Sequence, residues 1–244
     1  AMVAVLPVAA VLPFALIGAR QRDGTVGWRP AGPLLAGLAL ASLLLLLFSV
    51  VWAASRDSGL EGLVRNSLIP GLKAIDPSQS SDERAEVAGR LAALFPAMLL
   101  CGWQMTSAAN ALLAQWGVKL LGWNLRPSPD YRRADLPDWM LAVLAAAAML
   151  GWLVEGEAGY LARNVTVSLL MPYMFVGLAG IHDLMQRAGK PHFGLAIFYV
   201  VFMLALPWVI VALMGAGLAR QWVRLRRRRS GRSGQEEDDG SDPA

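Results

Sequence analysis

Charge is scarce in this chain. Charged residues make up 16% of its 244 positions, against about 25% in an ordinary soluble domain. Hydrophobic residues make up 56%, more than a soluble core of this length can cover but well within what a bilayer can. Cysteine is nearly absent. Cys101 stands alone inside an apolar run, so no internal disulfide forms and the redox compartment stays open. His182 and His192 are the only histidines, which argues against a metal centre. Walker, HExxH, GxSxG and CxxC motifs are all missing. No pair of carboxylates lies inside an apolar run, and intramembrane catalysis or ion-coupled transport needs buried ionisable groups. The expectation is a protein that is not an enzyme and needs no cofactor. The apolar start (Ala1, Met2, Val3) lacks the basic region of a signal peptide, so it reads as the middle of a larger membrane domain.

What the chain does have is a series of apolar runs. They lie near 1–18, 33–54, 91–116, 139–154, 160–184 and 194–219. A bilayer crossing takes about 20 apolar residues, so the fold class expected is all-α, a polytopic transmembrane helical bundle. About six membrane helices make one domain, residues 1–222. Pro7 and Pro13 bend the first run, and Pro207 sits in the middle of the last. The polar residues of the third run extend its helix to about 123.

Residues 55–90 are different in kind, with five basic and six acidic side chains. Leu60, Leu63, Val64, Leu68 and Leu72 give residues 58–75 an apolar face, so this segment is expected to lie at the membrane interface. Ser80 followed by Glu83 fits a capping box that starts a helix. The tail from 223 to 244 is basic, then acidic and rich in Gly and Ser, which predicts disorder.

Loops rich in Lys and Arg stay on the cytoplasmic side. Three basic residues near 19–30 and four in 119–138 place those loops inside, and put 55–90 and the acidic turn at Glu155 and Glu157 outside. Six simple spans then leave the arginine-rich tail outside, against the same rule. Either the last run doubles back at Pro207 or the tail is an exception.

Several residues carry candidate roles. Tyr160, Asn164, Ser168 and Pro172 recur every fourth position and form one helical stripe. Helix–helix hydrogen bonding accounts for it, and a sharper reading makes it the wall of a ligand pocket with Gln104, Ser107 and Asn110. His182 and Asp183 are adjacent, so their side chains diverge by about 100° on a helix and make no ready dyad. His182 remains a candidate ligand contact at the inner mouth. Arg163 is expected to snorkel or to pair with Glu155 or Glu157. Gly177 and Gly180 form a small-residue patch suited to helix packing. Arg226, Arg227, Arg228 and Arg229 flank the last apolar run, where contact with lipid headgroups is expected rather than nucleic-acid binding.

The run from Leu136 to Pro191 resembles the C-terminal half of the YybS-like bacterial membrane proteins. The residues that carry the resemblance are the Pro-Asp-Trp at 137–139, Asn164, the patch FVGLAGIH at 175–182, and DGTVGWRP at 23–30. The resemblance implies a multi-pass protein of the bacterial inner membrane, proteobacterial in type, with further helices ahead of the first one here. Family members often place an Asp near the end of the last helix; LMGAGLARQW at 213–222 has none. The helical layout is also similar to the substrate-binding subunits of energy-coupling vitamin transporters. Small-molecule binding or transport is therefore one expectation. A non-catalytic scaffold working through residues 55–90 or the tail, with a protein partner, is the other.

Overall fold

A computed structural model describes residues 18–20, 26–28, 31–56, 58–123, 134–189 and 191–239; for 18–20, 26–28, 31, 191 and 229–239 it describes the backbone alone. Strands β1 (Gly18–Arg20) and β2 (Val26–Trp28) pair antiparallel with Ala19 opposite Gly27. The rest of the described secondary structure is helical: α1 (Ala31–Ala53), α2 (Gly59–Ile75), α3 (Ser81–Ala92), α4 (Phe95–Leu120), α5 (Asp138–Leu153), α6 (Gly156–Arg187), α7 (Pro191–Leu204) and α8 (Leu206–Asp239). The expected helical membrane fold is what the chain adopts.

Three helices are long and apolar enough to cross a bilayer: Gly32–Ala53 in α1, all of α6, and Leu206–Arg228 in α8. A fourth appears if α3 and α4, bent by 51° at their junction, count as one span. The six spans of the sequence reading are thus three or four among the described residues, and the run near 1–18 lies almost wholly outside them. At 1.5 Å per residue, the 16 residues of α5 and the 14 of α7 reach about 24 Å and 21 Å, short of a hydrocarbon core of about 30 Å.

Proline sets two of the breaks. The helix expected over 91–123 is divided at Ala93 and Leu94, because Pro96 has no N–H to give Ala92 and stands in the first turn of α4. The last apolar run divides at Ala205, just ahead of Pro207. Past 223, α8 continues through the arginine cluster to Asp239.

The segment expected at the interface forms a hairpin of α2 and α3. Leu60 is its one buried apolar side chain on α2. The turn between them is tied by Asp76, whose carboxylate accepts from the Ser78 hydroxyl at 2.6 Å and the Ser78 N–H at 3.0 Å. The hydroxyl bond first, then the N–H bond, hold that carboxyl below the usual carboxylate range. The tie is complete at neutral pH and loosens only as pH falls through the lowered value. Ser80 caps α3 as expected: its hydroxyl accepts from Glu83 N–H at 3.2 Å, and the Glu83 carboxylate accepts from Ser80 N–H at 3.0 Å. Ser80→Ala should weaken this helix end by about 1 kcal/mol. Amide exchange at Asp82 and Glu83 should quicken; unchanged protection there would mean the cap contributes nothing.

The chain divides into two compact units. Of the described residues, one holds β1, β2, 34–123 and 140–171; the other holds 31–33, 134–139 and those from 172 to 239. In the first, Leu46 and Ala53 of α1, Leu60 of α2, Leu100 of α4 and Tyr160 of α6 form a buried apolar cluster. In the second, α6 from Pro172 onward meets α8.

Candidate functional site

The candidate site of the first unit is the polar seam between α6 and the α3–α4 junction. Tyr160, Asn164 and Ser168 lie one turn apart on α6 and are all buried. Their partners follow from where proline disrupts the backbone. Pro96 cannot bond to the carbonyl of Ala92, and the Tyr160 hydroxyl donates to that carbonyl instead, at 2.9 Å. The next helical bond would join Ala97 N–H to Ala93 C=O. The Asn164 amide stands in its place: Oδ1 accepts from Ala97 N–H at 2.9 Å, and Nδ2 donates to Ala93 C=O at 3.1 Å and to Tyr160 C=O at 2.9 Å. One side chain therefore caps the end of one helix and the start of the next.

The same logic recurs one turn further along α6. Pro172 lies inside α6 and leaves the carbonyl of Ser168 without its helical donor. Gln104 of α4, fully buried, donates from Nε2 to that carbonyl and to the Ser168 hydroxyl, both at 3.1 Å. Its Oε1 is buried with no hydrogen-bond partner, and so is the Nε1 of neighbouring Trp103. The Cys101 thiol faces the Val167 carbonyl at 3.7 Å.

The fold thus joins Asn164, Ser168 and Gln104 in one seam. Ser107 is half-buried and Asn110 is exposed, and neither shares a hydrogen bond with the seam. Thr106 turns back to the Gly102 carbonyl of its own helix. Arg163 donates to the Gly151 carbonyl at 3.2 Å rather than pairing with Glu155 or Glu157. Glu157 instead accepts from the Glu61 N–H at 3.3 Å.

The second unit carries the remaining candidates. Gly177 and Gly217 make a reciprocal close crossing of α6 and α8. A Cβ on Gly177 would strike the Leu213 carbonyl, and one on Gly217 would strike the Tyr173 carbonyl. Gly180 is in looser surroundings, with Arg220 Nη1 at 3.5 Å from where its Cβ would stand. His182 bonds through Nδ1 to Leu178 C=O at 2.9 Å and through Nε2 to the Tyr199 hydroxyl at 3.3 Å. A carbonyl only accepts, so Nδ1 carries a proton. Asp183 pairs with Arg187 at 2.7 Å, so His182 and Asp183 form no dyad.

Of the four arginines expected at lipid headgroups, Arg226 lies over the Trp222 ring at 5.0 Å and Arg228 reaches Asp138 at 3.4 Å. Arg227 is exposed, and the side chain of Arg229 lies outside the described residues. The residues that anchor α8 are different ones. Arg224 pairs with Asp135 at 3.2 Å and Asp138 at 2.9 Å, and donates to Leu136 C=O at 2.6 Å. Gln221, buried, donates to Pro137 C=O at 3.1 Å. The sequence clue to them was weak: a Gln and an Arg three apart, just past the last apolar residues. Gly217 was signalled only by the Gly-Ala-Gly of 215–217.

A family model described as "Predicted membrane protein (DUF2232)" matches residues 2–219. No curated protein and no solved structure matches the chain.

Proposed function

Since the chain belongs to this family of predicted membrane proteins, we propose that it is a multi-pass protein of a bacterial inner membrane, YybS-like in kind, that serves as a non-catalytic scaffold. The observation that carries this reading is how the polar side chains are spent. Asn164 and Gln104 are the best candidates for lining a pocket, and they bond to backbone groups at the two proline-disrupted stretches, while the Ser168 hydroxyl accepts from Gln104. Polar groups satisfied in this way hold helices together and leave little to offer a solute. By contrast, Lys73, Asp82, Glu86 and Arg90 of the α2–α3 hairpin are exposed. A charged hairpin on a membrane protein is a surface suited to a protein partner. In-cell cross-linking of the full chain tests this. A stoichiometric protein partner that is lost in the variant Lys73→Gln, Glu86→Gln, Arg90→Gln supports scaffolding. A chain that cross-links to nothing in stoichiometric amount sinks it.

A second reading, small-molecule binding similar to that of vitamin-transporter subunits, draws on one observation. Gln104 Oε1 and Trp103 Nε1 are a buried acceptor and a buried donor without partners, and such groups suit a small polar ligand. Thermal-shift screening against vitamins should then show stabilisation that Gln104→Leu abolishes. Equal shifts in both proteins would discard this reading.

A further inference from the structure

The basic end of α8 is a shaped feature and not only a run of charge. Arg220, Arg224, Arg227 and Arg228 fall at spacings of four, three and one, which gathers them on one side of the helix. With Asp135, Ala219 and Val223 they line an open groove. Arg224 is the innermost, its side chain 18% exposed and held by Asp135 and Asp138. Arg228 also reaches Asp138, and Arg227 stands exposed beside them. The membrane-crossing stretch Leu206–Arg228 ends at the last of them, so the groove lies at the end of an apolar helix.

We propose that this groove binds the phosphate of an anionic phospholipid. Guanidinium forks match phosphate oxygens in planar, paired geometry, better than point-charge lysines do. Ala219 and Val223 supply an apolar wall for the first methylenes of the lipid, while the arginines meet the headgroup. Arg224 shapes the floor through its carboxylate pairs, Arg228 is shared with Asp138, and Arg227, exposed, meets the ligand. The assignment differs from a uniform basic flank: Arg226 lies over Trp222 and does not line the groove.

The test uses the full chain in nanodiscs of equal parts phosphatidylglycerol and phosphatidylcholine, read by native mass spectrometry of retained lipid. An arginine near the surface contributes on the order of 1 kcal/mol toward anionic lipid. The general attraction applies to both positions, so Arg226→Gln should lower phosphatidylglycerol retention by about fivefold at most, and Arg227→Gln, which also removes the paired contact to the phosphate, should lower it clearly further. Equal losses in the two variants would reduce the effect to general surface charge and overturn the site. Retention of the two lipids in proportion to their supply would overturn it as well. Complete displacement by added inorganic phosphate would assign the groove to a free anion instead. Circular dichroism of both variants confirms that a loss is not unfolding.

Discussion

Asn164→Leu should lower the stability of the protein by about 3 kcal/mol, measured by thermal unfolding in detergent. The figure follows from what is left behind. Interhelical hydrogen bonds in membrane proteins contribute about 0.6 kcal/mol each on average, so the two lost to Ala97 and Ala93 alone cost about 1 kcal/mol. The substitution also strands Ala97 N–H and Ala93 C=O at a buried helix break. An unsatisfied buried group costs about 1–3 kcal/mol. These two groups can close on each other only if α3 and α4 straighten, which Pro96 opposes. Part of the penalty is therefore relieved and part remains. Tyr160→Phe removes a single bond, to Ala92 C=O, and should cost about 1 kcal/mol. Thr166→Val is the control, because the Thr166 hydroxyl bonds only within its own helix, to Ala162 C=O at 2.8 Å. If Asn164→Leu melts together with Thr166→Val, the amide does not hold the break.

Gly177→Leu should be more damaging still, at about 4 kcal/mol or more, the range reserved for overpacking that backbone cannot escape. Even a single Cβ at Gly177 meets the Leu213 carbonyl, and backbone oxygen has no rotamer by which to yield. Accommodating leucine requires α6 and α8 to move apart. That motion also undoes the reciprocal contact of Gly217 with Tyr173. Gly217→Ala should show the same sign with a smaller effect. Gly215→Ala should show the opposite sign: nothing stands within 4 Å of its Cβ position, and alanine is favoured over glycine in a helix by up to about 1 kcal/mol. A protein indifferent to Gly177→Leu while sensitive to Gly215→Ala would contradict the crossing.

Much of the fold was legible because hydropathy and capping are local. The apolar run at 33–54 became α1, the run at 160–184 became the centre of α6, and Ser80 with Glu83 became a capping box. The division of the third helix was less legible, although Pro96 stood in view. A proline inside an apolar run either kinks a helix or is absorbed, and Pro172 is absorbed where Pro96 is not. The outcome depends on the donors that neighbouring helices bring to the freed carbonyls, and those donors are far away in sequence. The helix beyond 223 is not legible for a related reason: composition there favours disorder, yet α8 is already under way at Leu206 and runs to Asp239.

The sequence by itself determined that this is a helical membrane protein, since apolar runs, sparse charge and proline positions act through solvent transfer and backbone chemistry along the chain. It also singled out the stripe of Tyr160, Asn164 and Ser168. Only the tertiary structure decided what that stripe does. An amide can line a cavity or replace a broken backbone bond, and the choice rests on whether an orphaned carbonyl and N–H lie within about 3 Å of it. Ala93 and Ala97, more than 60 residues away along the chain, supply them.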